Sequence, residues 1–65
     1  MPYIQVTLLE GRTIEQKRKL AERITKVFNE EAGTPPEAVS IAFIDVARDS
    51  YATGGVLMAD KKPKT

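Results

Sequence analysis

The 65-residue chain contains no histidine and no cysteine, so the most common general bases, nucleophiles and metal ligands are absent. The opening stretch, Met1-Pro2-Tyr3-Ile4-Gln5-Val6-Thr7-Leu8-Leu9-Glu10-Gly11-Arg12, offers an alternative base. If Met1 is removed, Pro2 becomes the first residue and its nitrogen a free secondary amine. If Met1 stays, the same nitrogen is a tertiary amide without a proton or a usable lone pair. An α-amino group ordinarily titrates near ~7.7–8.0, and a secondary amine is intrinsically more basic. Burial in an apolar pocket or a nearby positive charge lowers it into a working range. Arg12 closes the same strand and is permanently charged, so it can supply that charge and fork onto a substrate carboxylate.

The remaining chemistry-bearing residues are weaker candidates. Most carboxylates fall on the polar side of a helix, where solvation is their ordinary role. Asp45 stands in an apolar stretch, and its simplest reading is a cap for the turn at a strand end. Gly11 and Gly54-Gly55 are turn glycines rather than a phosphate-binding loop.

These residues need elements to hold them. From Pro2 to Leu9 the side chains alternate, Ile4, Val6 and Leu8 against Tyr3, Gln5 and Thr7, the period of a strand. Thr13-Ile14-Glu15-Gln16 matches a capping box and starts a helix expected over Ile14 to Ala32. Leu20, Ile24, Val27 and Phe28, with Ala21 and Ala32, make its apolar stripe, and Glu15, Arg18, Lys19, Glu22 and Lys26 its wet side. Gly33 suits the helix end, and Pro35-Pro36 prevents continuation.

A second strand is expected over Val39 to Val46. It is apolar at nearly every position, as in strands covered on both faces. One helix covers only one face of a two-stranded sheet, so the other face must meet another subunit. The order strand, helix, strand favours a parallel pair joined by a crossover. Residues 47–51 read as a loop or short turn, Gly54-Gly55 as a turn, and Val56-Leu57-Met58 as a short edge strand docking on a neighbour. The fold class is therefore α/β: a small β-α-β unit with parallel strands, plus a short C-terminal hairpin or edge strand, oligomeric. Residues 1–60 are expected to form a single domain and 61–65 a basic, disordered tail.

Composition agrees. A chain this short buries only ~60% of its unfolded surface, and without disulfides its usual supplement is oligomerisation. The apolar share of 42% is ample, and net charge +1 argues against a nucleic-acid partner. Lys61, Lys62 and Lys64 form the only basic cluster and read as a solvated terminus. No stretch is long and apolar enough to span a membrane, and the N-terminus has no basic region followed by an apolar stretch, so no signal peptide and a cytoplasmic location are expected.

Pro2, the run Leu9-Glu10-Gly11-Arg12, Gln16-Lys17 and Gly54-Gly55 together resemble the 4-oxalocrotonate tautomerase family, in order and spacing over nearly the whole chain. The resemblance implies a β-α-β protomer of the tautomerase superfamily, paired into four-stranded dimers, three of which make a hexamer. It implies removal of Met1 and an isomerase without a cofactor, in which Pro2 is the general base. The substrate would be a small-molecule carboxylate, an enol or dienol 2-oxo acid such as 2-hydroxymuconate. Arg12 would bind a substrate carboxylate and draw electrons along the conjugated system.

Three further positions enter through the same resemblance. Tyr51 stands where the family usually has a phenylalanine that keeps the proline's pocket apolar. Its ring lines the pocket, which is the preferred reading, or its hydroxyl donates to the substrate oxygen. Ser40 stands where the best-studied members carry a second arginine, contributed by another subunit, on the substrate's 2-oxygen and 1-carboxylate. Loss of one such donor costs roughly a hundred- to a thousandfold in turnover. Arg48, on the loop before Tyr51, is a lower-ranked substitute for that cation, a solvated loop arginine being its simpler reading. Two alternatives therefore stand beside plain tautomerisation. One is a related Pro2-dependent reaction, as hydratase, dehalogenase or imine former; the other is a non-catalytic oligomeric interaction protein.

Overall fold

A parallel pair of strands joined by one long helix forms the body of the molecule. The computed structural model describes residues 2–61. Expectations for Met1 and for residues 62–65 of the tail lie outside the described residues. Strand β1 is Tyr3–Leu9, helix α1 is Ile14–Ala32 and strand β2 is Ser40–Val46. A hairpin follows, β3 at Ala52–Thr53 and β4 at Val56–Leu57, with short 3-10 turns at Pro36–Ala38, Arg48–Ser50 and Met58–Asp60.

The helix begins and ends where its sequence signals stand. Thr13 Oγ1 accepts the Gln16 N–H at 3.1 Å, and Gln16 Oε1 accepts the Thr13 N–H at 2.9 Å, a reciprocal capping box. At the other end Gly33 takes a left-handed φ of 68° and its N–H closes onto the Asn29 carbonyl at 3.1 Å. Pro36 then starts the 3-10 turn that leads into β2.

The strands pair in parallel, Tyr3 opposite Ser40 through Leu9 opposite Val46. This register puts Ile4, Val6 and Leu8 beside Ile41, Phe43 and Asp45 on one face, and Tyr3, Gln5 and Thr7 beside Ser40, Ala42 and Ile44 on the other. On the first face Ile4, Val6, Leu8, Ile41 and Phe43 are half-buried; on the second, Tyr3, Gln5, Thr7 and Ile44 are exposed. The hairpin closes through Gly54 and Gly55, with φ of 59° and 80°. A two-residue loop with both φ positive is the turn whose twist suits a tight hairpin. The expected edge strand is thus one arm of a hairpin of its own chain.

None of the described residues is fully buried. The helix positions that are half-buried are Lys17, Ala21, Ile24, Thr25 and Phe28, at i, i+4, i+7, i+8 and i+11. Leu20 and Val27, expected in the same stripe, are 38% and 54% exposed, and Ile14 is 63% exposed. The apolar stripe is wider than one protomer's sheet can cover, so its flank is left in the open.

Candidate active site

The placement of Pro2 follows from the parallel register. The backbone N–H of Ser40 donates to the Pro2 carbonyl oxygen at 3.0 Å, which extends the ladder one step past β1. Pro2 has no N–H to return, so the strand itself starts at Tyr3. Its ring is half-buried at the open end of the sheet. Pro2 and Ser40 are therefore direct neighbours, with Ser40 exposed at the start of β2.

Arg12 lies elsewhere. Beyond Leu9 the Glu10 N–H donates to the Val46 carbonyl at 2.9 Å, and Gly11 then turns the chain with a φ of 117° that a side chain would resist. Arg12 follows just before the capped N-terminus of α1. Six residue steps separate Tyr3 from Leu9, so the two ends of β1 stand about 20 Å apart. Within one chain, then, the Arg12 charge is too distant to act on the Pro2 nitrogen, contrary to the expectation drawn from their sharing a strand. A site holding both needs Arg12 from a second copy.

Around Arg12 the structure adds cations that the sequence pattern had put on the wet side or passed over. Arg12, Gln16, Lys19, Leu20 and Arg23 line a groove of about 330 Å³. Among the described residues, Arg12, Lys19 and Arg23 form no salt bridge, so the groove carries uncompensated positive charge beside the apolar Leu20 side chain. The i, i+4 spacing of Lys19 and Arg23, one turn past the cap that follows Arg12, is the signal that could have marked it.

Asp45 caps no turn. Its Oδ2 lies 2.5 Å from Lys17 Nζ, an ion pair that ties α1 to β2 across the half-buried face. Arg48 has a specific partner: its Nη2 donates to the Met58 carbonyl oxygen at 2.9 Å. Tyr51 follows the Arg48–Ser50 turn, and its carbonyl accepts the Met58 N–H at 2.8 Å. Tyr51 is 38% exposed. Lys61, expected as the first tail residue, donates its N–H to the Met58 carbonyl at 3.2 Å and its ammonium to the Thr53 hydroxyl. The structure thus brings together Pro2 with Ser40, and Arg48 with Tyr51, and leaves Arg12 at the far end of the sheet.

A family model described as a tautomerase enzyme matches residues 2–61, the whole described span. The chain belongs to the tautomerase family. It is 40% identical over 60 residues to a 2-hydroxymuconate tautomerase of Bacillus subtilis, covering 92% of this chain and 97% of that protein. Its fold matches a crystal structure of a 4-oxalocrotonate tautomerase homologue with a TM-score of 0.89 at 44% identity, covering 97% of this chain and all of the other. A heterohexameric 4-oxalocrotonate tautomerase from Chloroflexus aurantiacus superposes with a TM-score of 0.89 at 29% identity, over 95% of this chain and all of that one. The protein is therefore an isomerase of the tautomerase family. Among the described residues no helix is long and apolar enough to cross a membrane.

Proposed function

We propose that this tautomerase moves a proton on an enol or dienol 2-oxo acid, with the amino-terminal nitrogen of Pro2 as general base. The observation that carries the reading is Pro2 itself: half-buried at a sheet end and fixed through its carbonyl by Ser40, it keeps its nitrogen out of the ladder. The identity to a 2-hydroxymuconate tautomerase supports the substrate class. In the proposed reaction the Pro2 amine takes the proton of the 2-hydroxyl, the double bonds shift along the chain, and the same proton goes to a distal carbon. The O–H bond breaks and a C–H bond forms, so the atoms balance and no redox cofactor is required.

Arg12 of a second copy binds the far carboxylate and stabilises charge moved toward it. Tyr51 keeps the pocket apolar with its ring. The exposed flank of α1, the open face of β1 and β2 and the heterohexameric relative support a homo-oligomer, in the family's arrangement a hexamer of three dimers. Such an enzyme works as a soluble cytoplasmic protein on a small acid, with no nucleic acid or membrane partner.

The test is the turnover of 2-hydroxymuconate and phenylenolpyruvate by the parent and by Pro2→Ala, with intact mass to read whether Met1 is gone. A parent lacking Met1, active, and disabled by Pro2→Ala is the expected result. Equal rates for the two proteins, or retention of Met1 in an active parent, would remove Pro2 from the chemistry.

A further inference from the structure

The Arg48 guanidinium and the Tyr51 carbonyl hold the two sides of one residue. Arg48 Nη2 donates to the Met58 carbonyl oxygen at 2.9 Å, while the Met58 N–H donates to the Tyr51 carbonyl oxygen at 2.8 Å. Arg48 and Tyr51 are three residues apart, so the chain from one to the other and the two bonds through Met58 form a closed circuit. Within that circuit the Arg48–Ser50 turn is itself closed by the Ser50 N–H on the Ala47 carbonyl at 2.9 Å. Beyond it, the hairpin ladder pairs Ala52 with Leu57 and Thr53 with Val56.

From this circuit we infer that Arg48 is a positioning residue for Tyr51. Arg48 is exposed, but its guanidinium has a specific partner in the Met58 carbonyl. It locks the exit of the hairpin onto the turn that precedes Tyr51. A hairpin of two-residue strands is too short to be rigid unaided, and none of the described residues of this segment is fully buried. Without the Arg48 bond, Tyr51 is joined to Met58 by a single backbone hydrogen bond at the hairpin mouth. The arginine therefore fixes both the direction in which Tyr51 leaves the turn and the spacing between the turn and the hairpin. The planar fork suits this role, because one donor can meet the carbonyl while the stem lies along the backbone. In its kinetic consequence the inference rests on the proposed pocket role of Tyr51; its structural consequence stands apart from that reading.

The test uses a Tyr3→Phe background. The chain has two tyrosines and no tryptophan, so Tyr51 becomes the only fluorophore of its kind. Arg48→Met keeps the length of the stem and removes the donor; Arg48→Lys keeps a donor. Acrylamide quenching of Tyr51 is expected to rise in Arg48→Met and to return toward the parent value in Arg48→Lys. With 2-hydroxymuconate, KM is expected to rise about tenfold in Arg48→Met with kcat little changed, the pattern of a loosened binding wall. Should Arg48→Met fail to assemble, Arg48→Gln, whose shorter amide does not span the distance, is read in the same way. Unchanged quenching in the donor-free variant overturns the inference. So does a fall in kcat with quenching unchanged, since that result puts the guanidinium on the substrate. If the parent has no activity on either acid, the proposed reaction fails, and the quenching series still decides the role of Arg48.

Discussion

The Ser40 N–H and the Pro2 carbonyl oxygen meet at 3.0 Å, so the proposed base and the residue that the family resemblance sets at the position of a second arginine are joined by one hydrogen bond. The bond is made by backbone atoms. The side chain at position 40 can therefore change without releasing Pro2, and Ser40 is exposed. Ser40→Arg is expected to leave the melting temperature near that of the parent. It should raise kcat on 2-hydroxymuconate by about tenfold or more, because a cation becomes available to the oxygen that gathers charge. Steady-state kinetics beside a thermal melt check both halves. An unchanged kcat would mean that position 40 does not face the reacting end of the substrate.

Lys17 and Asp45 provide a second, structural prediction. Their pair joins α1 to β2 at 2.5 Å, with side-chain exposures of 25% and 45%. Partial exposure screens the attraction, so Lys17→Met or Asp45→Asn is expected to cost about 0.5–1 kcal/mol. The double variant should cost less than the sum of the singles, as for groups in direct contact. Urea denaturation of the four proteins reads the coupling, which should shrink as salt is raised. Turnover should stay near the parent value, since the pair lies on the helix-facing side of the sheet and away from Pro2.

Thr13 sits between Arg12 and the helix, and its cap does two jobs. The hydroxyl satisfies the Gln16 N–H, and the reciprocal bond from Thr13 N–H to Gln16 fixes the residue just after Arg12. Thr13→Ala is expected to lower stability by about 1 kcal/mol. It should also raise KM for a dicarboxylate more than for a monocarboxylate, because the freed segment carries the groove's first cation. Denaturation curves and paired KM measurements distinguish the two effects. Equal KM changes for both acids would make the cap a matter of stability alone.

Local signals carried the elements, and contacts between distant residues did not show in them. The helix was legible to the residue, since the Thr13–Gln16 box and Gly33 with Pro35 are complete within a few positions. Strand β2 begins at Ser40 rather than Val39 because the Val39 N–H closes the preceding 3-10 turn on the Pro36 carbonyl at 3.2 Å. The Lys17–Asp45 pair joins residues 28 apart, so Asp45 read locally as a turn cap. Leu20 and Val27 read as core because periodicity shows which side of a helix is apolar, not which protomer covers it. The same limit applied to the site. Pro2 and Arg12 could be singled out as a candidate base and a cation, but sharing a strand implied nearness where an extended strand imposes separation.

That separation yields a decisive prediction about subunits. Pro2 and Arg12 lie beyond opposite ends of β1, whose termini are about 20 Å apart, so a site using both must draw them from two chains. Pro2→Ala removes the proposed base from every site and Arg12→Ala the proposed carboxylate clamp, and each homogeneous variant is expected to be strongly impaired. Unfolding the two together in equal amounts and refolding them should restore activity. In random assembly about a quarter of sites combine an intact Pro2 from one protomer with an intact Arg12 from another, so up to about a quarter of the parent activity should return. Mixing the folded variants without unfolding should restore little if the assembly exchanges slowly, which separates subunit exchange from a trivial additive effect. If refolded mixtures show only the mean of the two variants, Pro2 and Arg12 do not serve a common site across protomers, and the clamp role proposed for Arg12 fails.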